Sequence, residues 1–258
     1  MPKTALITGA SSGIGLELAK VFARDGIHLV LVARSAATLR DVKAQLERDY
    51  GVSVTALSAD LSIPGAASSL HADVTARQIQ VDYLVNNAGY GLYGPFHRLA
   101  LDDELAMLQL NCAAMTALTK LFSQEMLARG TGRVLNVAST AAFQPGPLMA
   151  VYYASKSYVL LLSEALHNEF AGTGVTVSCL CPGPTPTGFQ GRAGNSTSGL
   201  SGLVSTSAQQ VARAGYRGML RGKSVIVPGL INKLLVFLVR FAPRTLVTAA
   251  SRWTAESR

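Results

Sequence analysis

Short continuous apolar runs alternate along this chain with longer stretches in which apolar side chains recur every three or four positions. The runs Lys3–Ile7, Ile27–Ala33, Val52–Ser58, Val81–Asn86, Gly132–Ser139, Val175–Leu180 and Lys223–Val227 read as strands. Between them, Leu16–Arg24, Ala37–Asp49, Gly65–Ile79, Leu101–Met126 and Tyr152–Phe170 read as helices. In the second helix, Leu39, Val42 and Leu46 fall on one side. In the fourth, Leu101, Leu105, Leu108, Cys112, Met115, Leu118 and Phe122 do the same. Strands that are apolar throughout are covered on both faces, which is the habit of parallel sheets. Strand–helix alternation therefore predicts an α/β fold, a doubly wound parallel sheet of Rossmann type. No repeat or linker divides the chain, so residues 1–258 are expected to form one domain.

Composition narrows the function classes. Apolar residues make up 49% of the chain, enough for a sheet buried on both sides. The net charge is +8, but the basic residues are spread out and no basic helix is interleaved with aromatics, which argues against nucleic acid. Three cysteines, Cys112, Cys179 and Cys181, form no CxxC pair, so neither a disulfide framework nor a zinc site is expected. His28, His71, His97 and His167 are scattered without metal-ligand spacing. Met1-Pro2-Lys3 leads straight into the first strand with no signal-peptide pattern, so a cytoplasmic location is expected. Leu230–Phe241 is apolar except for Asn232, Lys233 and Arg240, and falls short of the roughly 20 residues that span a bilayer. It fits an interfacial helix with snorkelling cations, a cover over a pocket, or a subunit contact. A buried or interface helix is preferred over membrane contact.

Chemistry concentrates at two places. Tyr152 and Lys156 are four residues apart, one helical turn, and so project from the same face. A phenol with a pKa of about 10 is a poor base, and an adjacent ammonium should lower that value. Ser139, at the end of Val134–Ala138, is placed to hydrogen-bond a substrate oxygen beside the tyrosine, completing a proton-transfer site for a carbonyl/alcohol pair. At the amino end, the first strand runs into Thr8-Gly9-Ala10-Ser11-Ser12-Gly13-Ile14-Gly15 and then a helix. Glycines permit close approach of a pyrophosphate, and the N–H groups of the helix start receive its charge. The spacing is GxxxGxG rather than GxGxxG.

TGASSGIG at Thr8–Gly15, NNAG at Asn86–Gly89, Asn111, the NVAS stretch ending at Ser139, YYASK at Tyr152–Lys156 and PGPTPT at Pro182–Thr187 resemble, in order and spacing, the short-chain dehydrogenase/reductase family over about the first 190 residues. The resemblance implies a single Rossmann-type domain, a nicotinamide cofactor and reversible carbonyl–alcohol redox. It also implies an Asn-Ser-Tyr-Lys tetrad, here Asn111, Ser139, Tyr152 and Lys156, with Asn111 marking a helix kink whose carbonyl holds a relay water beside the lysine. Tyr153 is a rival tyrosine. Only Tyr152 meets both spacings, so Tyr153 reads as packing or substrate-facing.

The resemblance also distributes the cofactor contacts. Gly9, Ser11, Ser12, Gly13, Ile14 and Gly15 would hold the pyrophosphate. Asp60 would meet the adenine ring, and Asn87, Ala88 and Gly89 would line the adenosine ribose and central sheet. Pro182, Gly183, Thr185 and Thr187 would flank the nicotinamide, while Tyr152 and Lys156 would touch its ribose. The second strand ends Val32-Ala33-Arg34-Ser35, with a guanidinium where an acid usually holds a bare ribose, which favours NADP(H) over NAD(H). Ser12 lacks the second basic residue of many NADP-preferring relatives, leaving Arg34 to supply the charge with help from Ser11, Ser12 or Ser35. Residues 188–206 resemble a mobile substrate lid, and 230–258 a less distinctive extension. The expected activity is NADPH-dependent reduction of a lipophilic ketone, aldehyde or 3-oxoacyl chain. The alternatives are a non-catalytic cofactor-binding regulator or scaffold and, less fitting for want of a larger carboxyl-terminal region, an epimerase or dehydratase acting on nucleotide sugars. A homodimer or homotetramer is expected through Leu101–Met126 and Tyr152–Phe170. The apolar residues Met107, Leu110 and Leu121 on the first, and Val159, Leu160 and Leu161 on the second, exceed what one sheet face needs.

Overall fold

The computed structural model describes residues 2–186 and 205–256. Seven strands, β1 Thr4–Thr8, β2 His28–Ala33, β3 Val54–Ser58, β4 Tyr83–Asn86, β5 Gly132–Val137, β6 Val175–Leu180 and β7 Val225–Ile226, form one parallel sheet in the order β3-β2-β1-β4-β5-β6-β7. The doubly wound Rossmann-type sheet read from the sequence is therefore the fold. Its order reverses between β1 and β4, where Leu6 pairs with Val30 on one side and with Leu84 on the other. That reversal opens a crevice at the carboxyl ends of the strands, and both sequence clusters lead into it.

Alternate strand residues feed two cores, as a pleat of period two requires. Ala5, Ile7, Leu29, Leu31, Val85 and Leu135 meet one layer of helices: α1 Gly13–Arg24, α2 Ala36–Tyr50 and α7 Ala208–Leu220. Leu6, Val30, Val32, Leu84, Val134 and Val177 meet the other, including α3 Ala66–Ala76 and α5 Met115–Arg129. On that side α6, Ala150–Glu169, packs Val159 and Leu160 near Cys179 and Cys181. Local signals set the ends. Ser35 caps α2 by accepting from the Thr38 amide at 3.2 Å, and Gly51 stops it in a left-handed conformation.

The long helix expected over 101–126 is interrupted. It runs as α4 Leu101–Leu108, then a π-helical segment Gln109–Ala114, then α5. A π segment inserts one residue into the helical ladder and rotates the buried face. This is why Leu101 and Leu105 are exposed while Glu104, Met107 and Asn111 are buried, before the stripe resumes at Met115, Leu118 and Phe122. By length and apolarity 101–129 could cross a membrane, but Leu118, Phe122 and Met126 are buried against the sheet. The surplus apolar faces proposed for assembly are also smaller than expected. Met107, Val159 and Leu160 are buried within the chain, Leu110 and Leu121 are half-buried, and Leu161 is exposed. Past β7 come α8 Leu230–Val239 and α9 Arg244–Glu256. Of the buried or interface helix preferred for this segment, the buried form does not hold within one chain, since only Asn232 of α8 is buried.

Candidate active site

Ser139 stands just past the end of β5, and Tyr152 and Lys156 stand one turn apart on α6. The Tyr152 hydroxyl shares a hydrogen bond with Ser139. Burial drives the phenol pKa up to about 12, and the Ser139 bond pulls partly against that rise. The expectation that Lys156 lowers the tyrosine pKa does not hold in this state. The lysine Nζ lies 5.8 Å from the phenol ring centroid and donates to the Val137 carbonyl at 3.0 Å. Its own pKa is pushed down to about 8 by burial. The phenol is thus held protonated, as a general acid requires.

Asn111 joins the group through its side chain. Its Nδ2 donates to the Tyr90 carbonyl at 2.9 Å and to Ser155 Oγ at 3.1 Å, while its Oδ1 accepts from the Tyr90 amide at 3.2 Å. Ser155 Oγ in turn donates to the Tyr152 carbonyl at 2.7 Å. Asn111 therefore pins the loop after β4 to α6 from within the π segment, which is the kink expected there. A β-carbon on Gly89 would come within 2.9 Å of Asn111 Oδ1 and 3.3 Å of Lys156 Nζ, so only glycine leaves both groups undisturbed. Tyr153 packs its ring against Gly146 and meets the Tyr152 ring edge-on at 6.0 Å, matching the packing reading. Met107, Ala141 and Met149 bury an apolar wall around Tyr152, with Leu92 and Tyr93 packed on it.

The glycine turn forms the other half of the crevice. Gly9 has φ +66°, and a β-carbon on Gly15 would collide with the Gly9 carbonyl oxygen. Helix α1 starts at Gly13 with no side-chain cap from Ser12 and no acid in its first turn, so Ser11, Ser12 and Ile14 flank an electropositive helix end that suits a pyrophosphate. Thr8, Asn87 and Ala88 lock this turn to β4. Asn87 Nδ2 donates to the Thr8 and Gly9 carbonyls at 3.0 and 3.2 Å, and Thr8 Oγ1 accepts from the Asn87 and Ala88 amides, each at 3.0 Å. The Asn87 side-chain amide thus holds the cradle in shape.

Arg34 is exposed at the end of β2. Its charge helps hold the Asp60 carboxyl below its ordinary pKa, though the larger cause is the hydrogen bond from Ser62 at 2.6 Å. Ser35, expected to assist Arg34, is occupied in capping α2. At the far side, the Pro182 carbonyl accepts from the Thr140 amide at 2.9 Å, and Thr185 Oγ1 donates to the Gly183 carbonyl at 3.0 Å. Thr187 and 188–204 of the expected lid lie outside the described residues. Sequence reading missed a buried polar chain beneath the site. Asn86 Nδ2 donates to Asn136 Oδ1 and Thr119 Oγ1, each at 2.9 Å, and Asn136 Nδ2 donates to Ser163 Oγ at 3.0 Å. The available signal was an asparagine beside apolar residues in each of two strands, Asn86 at the end of β4 and Asn136 in β5.

The profile of the short chain dehydrogenase family matches residues 3–198, which take in the glycine turn, the π-segment asparagine and the Ser-Tyr-Lys group. The chain belongs to the short-chain dehydrogenases. A Streptomyces coelicolor protein assigned as a ketoacyl reductase is 39% identical over 183 residues, 70% of each chain. Among curated relatives the matched segment spans from 70% down to 53% of their length. A short-chain dehydrogenase from Sphingobium yanoikuyae, solved in complex with NADPH, has 32% identity and a TM-score of 0.83, covering 95% of this chain and 97% of that one. A Burkholderia phymatum short-chain dehydrogenase/reductase in complex with NAD has 27% identity and a TM-score of 0.81, covering 92% of each chain. As a short-chain dehydrogenase the protein is an oxidoreductase that interconverts a carbonyl and an alcohol with a nicotinamide dinucleotide.

Proposed function

We propose that the protein reduces a lipophilic ketone, aldehyde or 3-oxoacyl chain using NADPH. The observation that carries the reading is the geometry that brings Ser139, Tyr152 and Lys156 together at the carboxyl ends of the strands, with the buried Tyr152 hydroxyl bonded to Ser139. When bound, the nicotinamide supplies a hydride to the carbonyl carbon. Ser139 holds the carbonyl oxygen, and Tyr152 gives that oxygen its proton. Lys156, whose pKa of about 8 keeps it poised near neutral pH, returns a proton toward the phenol. Asn111 and Ser155 fix α6 against the loop after β4, so the tyrosine keeps its place during transfer.

Arg34 supports NADPH because a guanidinium suits a 2′-phosphate and no acid stands at the end of β2 to favour a bare ribose. The wall of Met107, Met149, Leu92 and Tyr93 supports an apolar substrate. A panel of ketones, aldehydes and 3-oxoacyl thioesters, assayed with NADPH and with NADH, tests the reading. Tyr152→Phe is expected to abolish turnover and leave NADPH binding nearly intact, since the ring still packs and only the transferable proton is removed. Near-normal reduction by that variant, or faster turnover with NADH in the wild type, would overturn the corresponding half of the proposal.

A further inference from the structure

Helices α8 and α9 rest on the protein along narrow lines. In α8 the inward positions are Asn232, Val236 and Val239, and in α9 they are Val247, Ser251 and Ala255, both at helical spacing. The outward positions are mostly apolar on α8 and mixed on α9. Leu230 is 81% exposed, Phe241 72%, Leu246 64% and Trp253 63%, and Ile231, Leu234, Phe237 and Leu238 are exposed beside them. The Phe237 and Phe241 rings meet edge-on at 5.0 Å, extending the face past the end of α8. The run of exposed apolar side chains from Leu230 to Phe241 marks an interaction surface, and Leu246 and Trp253 add apolar exposure on α9.

Charge identifies the occupant. From residue 229 to 255 the chain carries Lys233, Arg240, Arg244 and Arg252 and no Asp or Glu. Arg252 pairs with Glu256 at 2.7 Å, leaving three cations at the rim that no acid of these helices neutralises. A second copy docking on the same face would bring cations against cations. An anionic lipid surface matches both features, with apolar and aromatic side chains entering the headgroup boundary and the cations facing the lipid phosphates. We propose that α8 and α9 form a peripheral docking surface for an anionic bilayer.

The surface borders the mouth of the catalytic crevice. Asn232, on the first turn of α8, packs so closely over Gly183 that a β-carbon there would lie 2.5 Å from its amide. The Tyr93 hydroxyl, from the apolar wall beside Tyr152, donates to the Ala255 carbonyl of α9 at 3.0 Å. On the reading that the substrate is apolar, docking through these helices brings the crevice close to the phase in which that substrate is concentrated.

Flotation of the full chain with phosphatidylcholine vesicles, with and without a third of phosphatidylglycerol, tests the assignment. Trp253 is the chain's single tryptophan and reports insertion directly. Flotation with the anionic vesicles, a blue shift of Trp253 emission and reversal by high salt are expected. Each cation neutralised in Lys233→Gln and Arg240→Gln should weaken binding roughly fivefold. Leu234→Glu with Phe237→Glu should abolish flotation without changing the thermal melt, because both side chains are exposed. Absence of flotation and of any emission shift at low salt overturns the proposal. So does a blue shift that needs only higher protein concentration and accompanies a doubling of mass in detergent-free buffer, since the occupant is then a second copy.

Discussion

Replacing Lys156 with methionine should stabilise the cofactor-free protein near neutral pH while destroying turnover. Desolvation lowers the ammonium pKa from the ordinary 10.5 to about 8. Below pH 8 the folded and unfolded states both carry the proton, and burying it costs the fold roughly 3 kcal/mol. Between pH 8 and 10.5 the folded chain releases the proton first. The unfolded chain then binds more protons, and stability rises with pH by about 1.4 kcal/mol per unit. Methionine keeps the apolar stem but loses the 3.0 Å bond to the Val137 carbonyl, a loss of about 1 kcal/mol. The net gain near pH 7 is about 2 kcal/mol, or roughly 4–8 °C in Tm for a chain of this size. Scanning calorimetry of both proteins without cofactor, from pH 7 to 10.5, reads the difference. The variant should melt higher at pH 7, and the gap should close as pH rises through 8. A variant that melts lower at pH 7, or a gap independent of pH, refutes the burial penalty.

Other positions give sharper readouts of binding. Arg34→Ala should weaken NADPH roughly ten- to a hundred-fold by calorimetric titration and leave NADH almost unchanged. Equal losses for both would remove Arg34 from the 2′-phosphate. Gly15→Ala drives a methyl into a backbone carbonyl that cannot retreat, so dinucleotide binding should be lost along with about 1–3 kcal/mol of stability. Gly89→Ala meets only side-chain atoms of Asn111 and Lys156, so its melt should hold within about 1 kcal/mol while kcat falls at least tenfold. A Gly89→Ala enzyme with wild-type kcat would show that those two side chains tolerate displacement.

The sheet was legible because each strand is apolar on both faces, and the Tyr152–Lys156 pair because one helical turn is enough to join them. The interruption at Gln109–Ala114 was legible only as a kink at Asn111. Heptad-like spacing continues across it in the sequence, and nothing in Leu101 or Leu105 tells that one extra residue turns them to solvent. Asn87 and Ser35 were legible as polar residues at strand ends, but not as residues occupied by the backbone. Which acceptor a short side chain finds depends on two segments meeting, here the glycine turn with β4 and β2 with α2. The Tyr152 pKa was inverted for a similar reason. The spacing shows that Lys156 and Tyr152 are neighbours, but burial, set by the whole fold, is the largest cause of the shift at each. α7 and α9 escaped because their apolar positions are thinly spread among small and basic residues.

A parallel sheet has a leading rim and a trailing rim, and the start of β1 and the last turn of α9 are divided between them. Thr4 begins β1 at the leading rim, whereas Ala255 is fastened to Tyr93 at the trailing rim, beside the crevice. Anything attached ahead of Lys3, whether an affinity tag, a fluorophore or a tether to a solid support, leaves from the side remote from the chemistry. The same attachment carried on the last turn of α9 sits at the doorway. Immobilisation ahead of β1 should therefore preserve catalysis, whereas a bulky group on the last turn of α9 should obstruct it.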